Sequence, residues 1–128
     1  MVFGDISYFS DVLKDSSSDL EILSEAFARL LRAFPVMSDR LIYGSDWILL
    51  NREAGQEKHL TAVRGFMSKV FSKLYSDPAE INAKLEGVFL KNAIRFLGIN
   101  PSGKAAQRLV AFYQRNGMEA TFLQEFAI

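Results

Sequence analysis

Asp46 is the residue of this sequence whose type and position most directly suggest chemistry. It follows the apolar run of Leu41, Ile42 and Tyr43 and the pair Gly44–Ser45, and it precedes the only tryptophan of the chain. A carboxylate on a loop at the end of a strand can bind a metal ion or act as a general base. The alternative is that Asp46 only caps the turn that follows it.

Further candidate residues stand near Asp46 or in neighbouring elements. His59, the only histidine, is either a metal ligand or a solvated side chain in the first turn of a helix. Trp47, Ser45 and Ser7 are candidate ligand-binding residues, and Trp47 either stacks on a ligand or packs in the interior. Neither serine has a histidine nearby in sequence, so a hydrolytic triad is not predicted.

The elements that must position these residues begin with a strand, a helix and a second strand. Residues 1–8 are rich in β-formers, and residues 40–43 form an apolar run too short for a helix. Between them, Ser18 and Glu21 fit a capping box that opens a helix, and Pro35 ends it. The order predicts two parallel strands joined by a helix. Asp5 and Asp46 would then lie at the same ends of neighbouring strands, where they could form a two-carboxylate site.

The remainder of the chain is predicted to be helical. One helix presents Leu60, Val63, Met67 and Val70 on one face. Asp77–Pro78 is a strong start signal for the next helix. Further helices are predicted to end at Gly98 and at Gly117.

These elements predict a mostly helical α/β protein. Residues 1–128 are expected to form one domain, with a βαβ unit over residues 1–50 and a helical extension over residues 51–128. Parallel strands normally belong to larger sheets, so two strands alone would leave both edges unpaired.

Composition narrows the class of function. The 128 residues carry 15 basic and 15 acidic side chains, which gives a formal net charge of zero. This balance argues against nucleic-acid and membrane-surface binding, and it permits self-association. The absence of cysteine excludes disulfides. The N-terminal segment does not resemble a signal peptide, so a cytoplasmic location is expected.

Three stretches occur in an order typical of one enzyme family: VFGDISYF, DRLIYGSDW and GVFLKNAIRFLGI. Together they resemble the C-terminal part of the amidohydrolase-2 group of metal-dependent hydrolases, which includes the aminocarboxymuconate-semialdehyde decarboxylase-like enzymes. The resemblance covers about residues 2–99. It implies the last quarter of a (β/α)8 TIM barrel, with Asp46 as the metal-binding carboxylate of the last strand.

The chain departs from that family in its metal ligands. The His-x-His pair and the two later histidines are absent, and His59 lies where the family has no ligand. We therefore expect a truncated amidohydrolase-like domain without independent hydrolase activity, acting as a self-associating structural protein, most simply a dimer. The alternative is a zinc- or manganese-dependent hydrolase or decarboxylase whose site is completed by a second copy or by a partner chain carrying the missing strands. A small-ligand module using Trp47 is a third possibility.

Overall fold

The computed structural model describes residues 2–7, 9–13 and 17–127. Two parallel strands form one sheet, namely β1 (Gly4–Asp5) and β2 (Leu41–Ile42). The α-helices within these residues are α1 (Ser17–Ala33), α2 (Trp47–Leu50), α3 (His59–Ser72), α4 (Pro78–Glu86), α5 (Asn92–Leu97) and α6 (Lys104–Arg115). The predicted mostly helical α/β class with two parallel strands is confirmed.

The strands are shorter than predicted, with two residues each. Gly4 pairs with Leu41 and Asp5 with Ile42. Of the predicted first strand over residues 1–8, Met1 and Tyr8 lie outside the described part of the chain. The crossover from β1 to β2 runs through α1, as expected for parallel strands.

The core lies between the sheet and the helices α1 and α3. Phe66 makes T-shaped contacts with two further rings, Phe9 at 5.0 Å and Phe27 at 6.0 Å between centroids. This arrangement agrees with the high phenylalanine content of the sequence. The buried apolar residues of this core include Ala28, Leu31, Leu41, Val63, Met67, Val70, Phe71, Leu85 and Val88.

Ion pairs join α1 to α3 at the surface. Glu21 pairs with Lys69 and, at 2.6 Å, with Lys73. Ser17 and Ser18 already lie within α1, so the helix does not start after Ser18 as the predicted capping box requires. Glu21 reaches a neighbouring helix instead of the start of its own.

A short π-helical segment, Gly87–Lys91, connects α4 directly to α5. Asp77 caps α4 by accepting a hydrogen bond from the backbone N–H of Ala79 at 2.9 Å, as the sequence predicts. Gly98 ends α5 in the left-handed conformation, with φ of 64°. The π segment matters for the site because it lies against β2.

The C-terminal part consists of α6 and a 3-10 helix over Thr121–Phe126. Gly117 follows α6 with φ of 68°, in agreement with the predicted stop. Across the described ranges, no helix is both long and apolar enough to cross a membrane.

Candidate functional site

The loops that follow the two strands are in direct contact. The carboxylate of Asp5 accepts two hydrogen bonds from Ser7, one from the backbone N–H at 2.7 Å and one from the hydroxyl at 2.5 Å. A Cβ placed on Gly44 would lie 2.1 Å from the Ser7 hydroxyl oxygen and 3.3 Å from a carboxylate oxygen of Asp5. Only glycine at position 44 therefore lets the second loop approach this turn so closely.

Asp46 lies just beyond this contact and is exposed. Its backbone carbonyl accepts hydrogen bonds from the N–H groups of Leu49 and Leu50, both at 3.0 Å, and so begins α2. Its φ of 44° lies in the left-handed region, which aspartate tolerates better than most residues. These hydrogen bonds at the start of α2 go to the Asp46 carbonyl and not to its side chain, which is the group that the capping alternative invokes.

The remaining predicted binding residues are only partly brought together. Ser7 and Ser45 are half-buried. The hydroxyl of Ser7 is engaged by Asp5, its neighbour in the same turn. Trp47 is the first residue of α2, but its side chain lies outside the described part of the structure. The sequence suggests that the carboxylates of Asp5 and Asp46 form a pair. In the structure the Asp5 carboxylate instead accepts hydrogen bonds from Ser7.

His59 is buried, and the prediction that it is solvated is wrong. Its side chain is 1 % exposed. Its Nδ1 atom and the hydroxyl of Tyr43 are hydrogen-bonded at 3.1 Å. Its Nε2 atom has no hydrogen-bond partner among the described residues. Burial lowers the pKa of His59, while the nearby backbone of Phe9 acts in the opposite direction.

A sequence signal for this burial exists. The inward face of α3 carries His59, Val63, Phe66, Met67 and Val70, which are all buried. Leu60, predicted to face inward, is 53 % exposed. The helical stripe therefore extends one turn before Val63 to the histidine rather than to the neighbouring leucine.

The candidate metal-binding side chains of a single chain do not fit a catalytic metal site. Asp46 is exposed, whereas His59 is buried and uses Nδ1 with Tyr43. Throughout the part of the chain that the structure describes, no three His, Asp or Glu side chains are grouped so that they could hold a metal ion. A catalytic zinc typically needs three protein ligands and an open position.

Asn92 is a further buried polar residue, and the sequence indicates it only as part of the stretch GVFLKNAIRFLGI. Its side-chain amide donates to the carbonyl of Leu41 at 2.8 Å. One residue beyond β2, the N–H of Tyr43 donates to the carbonyl of Val88 at 2.9 Å. The π segment and Asn92 thus close the edge of β2 that faces away from β1.

Comparison with known proteins adds no relative to this picture. No protein-family model matches the chain, and no curated protein and no solved structure is significantly similar to it.

Proposed function

We propose that this chain is a self-associating structural or interaction domain, related to the C-terminal part of an amidohydrolase-2 barrel and without hydrolase activity of its own. The observation that carries the proposal is an apolar face of the sheet that the described residues leave partly exposed, with Phe96 61 % exposed on it. A second copy of the chain would cover it.

The uncovered face lies opposite the core. Phe3, Gly4, Asp5, Ile42 and Phe96 line a shallow pocket on it. The rings of Phe3 and Phe96 meet edge to face, with centroids 5.5 Å apart. Phe96 is nevertheless 61 % exposed. Exposed aromatic rings beside the edge of a sheet favour a protein interface at this position.

The kinship with a barrel remains a proposal, supported by the arrangement around β2. The parallel β1–α1–β2 unit has the topology of one barrel repeat. Asn92, from the closing motif, donates to the last strand at Leu41. This contact gives the asparagine of that motif a physical role, which is to cap a strand edge.

The lack of independent hydrolase activity is proposed on the donor set. The exposed Asp46 and the buried His59 are the only matched or suggested ligands, and they occupy different environments. Without a third ligand the coordination of a catalytic zinc is incomplete.

Light scattering after size exclusion tests self-association. We expect a mass twice that of the 14.4 kDa chain. Phe96→Asp should shift the protein toward monomer, because it places a charge on the proposed contact face. Phe112→Asp is a matched control, since Phe112 is similarly exposed at 58 % but lies on α6. A monomeric wild-type protein would refute the proposal.

The alternative function is a zinc- or manganese-dependent hydrolase or decarboxylase, completed by a second copy or by a partner chain. The exposed carboxylate of Asp46 beyond the end of β2 is the observation that favours it. Metal analysis of the same sample tests the self-complemented form: stoichiometric metal lost in Asp46→Ala would support it, and metal-free dimer would exclude it.

A further inference from the structure

Among the described residues, the outer edge of β1 presents backbone groups that no other segment pairs with. Gly4 N–H donates to the carbonyl of Arg40 and Ile6 N–H to that of Ile42, both at 3.0 Å, so these residues face β2. Because successive residues of a strand point their backbone groups to opposite sides, those of Phe3 and Asp5 face away. Within the described ranges, no hydrogen bond engages these outward backbone groups.

The opposite edge of the sheet is not available for pairing. Asn92 occupies the carbonyl of Leu41, and the carbonyl of Val88 occupies the N–H of Tyr43. The sheet therefore has one closed edge and one open edge. An added strand can extend it only beside β1.

Resting on the proposed self-association, we infer that β1 of one copy pairs antiparallel with β1 of a second copy, with the two-fold axis at Gly4. Phe3 of each copy then faces Asp5 of the other as a hydrogen-bonded pair. The two pairs exchange about four backbone hydrogen bonds and produce a four-stranded sheet. The outward N–H and C=O groups of Phe3 in one copy bond to the outward C=O and N–H groups of Asp5 in the other.

Charge favours this direction of pairing. A Cβ on Gly4 would touch Leu41 at 3.4 Å, so Gly4 and Leu41 face the core side of the sheet. By alternation, Phe3 and Asp5 face the uncovered side, where both line the shallow pocket. Antiparallel pairing places the Asp5 carboxylate of each copy beside the apolar Phe3 of the other, so the two carboxylates do not stand directly opposite one another. Parallel pairing would align the two Asp5 carboxylates.

Glycine at the axis suits this geometry. The two Gly4 residues form the non-hydrogen-bonded pair of the ladder, where Cα atoms approach to about 4.5 Å. On the uncovered side, the interface continues into the exposed ring of Phe96, which already contacts Phe3. The open edge and the apolar face therefore form one continuous surface.

Disulfide trapping tests the register, because the chain contains no cysteine. Gly4→Cys places two thiols across the axis, at a separation that a disulfide can span. Val2→Cys is the control: Val2 is 78 % exposed, yet the proposed register puts its two copies roughly 13 Å apart along the strands. We expect oxidation to crosslink Gly4→Cys at least tenfold faster than Val2→Cys. Equal rates, or faster crosslinking of Val2→Cys, would overturn the register.

A backbone variant tests the edge without a new crosslink. Asp5→Pro and Asp5→Ala both remove the carboxylate, but only proline removes the outward N–H. Neither substitution removes the N–H groups of Gly4 and Ile6 that donate to β2. We expect the dimer dissociation constant to rise at least tenfold more in Asp5→Pro than in Asp5→Ala.

The outcomes separate the two proposals. A wild-type dimer that Asp5→Pro does not weaken, and that Gly4→Cys does not trap, would refute the edge while leaving self-association standing. A wild-type monomer would refute both.

Discussion

His59 occupies a position that neutral imidazole tolerates better than the charged form. Its ring is buried beside Tyr43, and Nε2 has no partner among the described residues. A charged imidazole would need two acceptors and loses its hydration on burial. This is the physical reason why the pKa of His59 lies below its usual value of 6.5.

The first prediction concerns the pH dependence of folding. Because the folded pKa of His59 is lowered, its contribution to stability is complete above about pH 6.5 and decreases as the pH falls toward the folded pKa. We expect urea denaturation to give a smaller free energy of unfolding at about pH 5.5 than at about pH 7.5. His59→Gln should remove most of that difference. The only histidine resonance of the chain should also titrate below 6.5 by NMR, and a midpoint above that value would contradict the account.

The second prediction concerns Asn92. Asn92→Ala leaves the carbonyl of Leu41 without its donor at a buried site, which should reduce the free energy of unfolding by about 1–3 kcal/mol. Asn116→Ala is the matched control, because the Asn116 amide also donates to a backbone carbonyl, that of Phe112 at 2.8 Å, but on the surface. We expect a change below about 0.5 kcal/mol there. Equal losses in the two variants, measured by urea denaturation, would argue against the edge-capping role.

At the scale of elements, α1 and α3 are held together partly by charge. Glu21 of α1 bonds to Lys69 and Lys73 of α3. These hydrogen bonds lower the pKa of the Glu21 carboxyl to about 2 and raise the pKa of Lys73. The pairs are solvent-exposed, so their contribution is screened by salt.

The third prediction follows from that lowered pKa. The contribution of Glu21 is present above its ordinary pKa of 4.5 and is lost as the pH falls from there toward about 2. Denaturation curves of Glu21→Gln should therefore fall less steeply over this range than those of the wild type. The difference should shrink in high salt. Parallel pH profiles for the two proteins would contradict the ion-pair role.

The helix ends that the sequence predicts correctly are those marked by local residues. Asp77–Pro78 determines the start of α4 and Gly98 determines the end of α5, and each signal depends only on residues at that helix end. The partners of Glu21 lie on α3, far away in the sequence. The residues around Glu21 therefore do not reveal whether its carboxylate caps its own helix or forms an ion pair. The polarity of His59 favours exposure, whereas its position one turn before Val63 places it in the buried stripe of α3.

In the candidate site, too, the local features are predictable from the sequence, whereas the contacts between distant segments are not. Gly44 and Ser45 were expected at a strand end, and the parallel pairing of the strands was predicted from their order. The contact between Gly44 and Ser7, and the use of Asn92 to close β2, depend on how distant segments pack. No short pattern in the sequence specifies either contact.

At the scale of the whole molecule, the sheet is asymmetric. One edge is closed by Asn92 and the π segment, and the other presents Phe3 and Asp5 beside an exposed Phe96. With a formal net charge of zero, long-range repulsion between copies is small. The proposed self-association through the open side would account for these features together.

The mass of the unmodified chain over a dilution series into the low micromolar range is the most direct test of self-association. Sedimentation velocity should give a single species of twice the 14.4 kDa chain mass, dissociating only on strong dilution. A single species of one chain mass across the whole series would contradict the central claim.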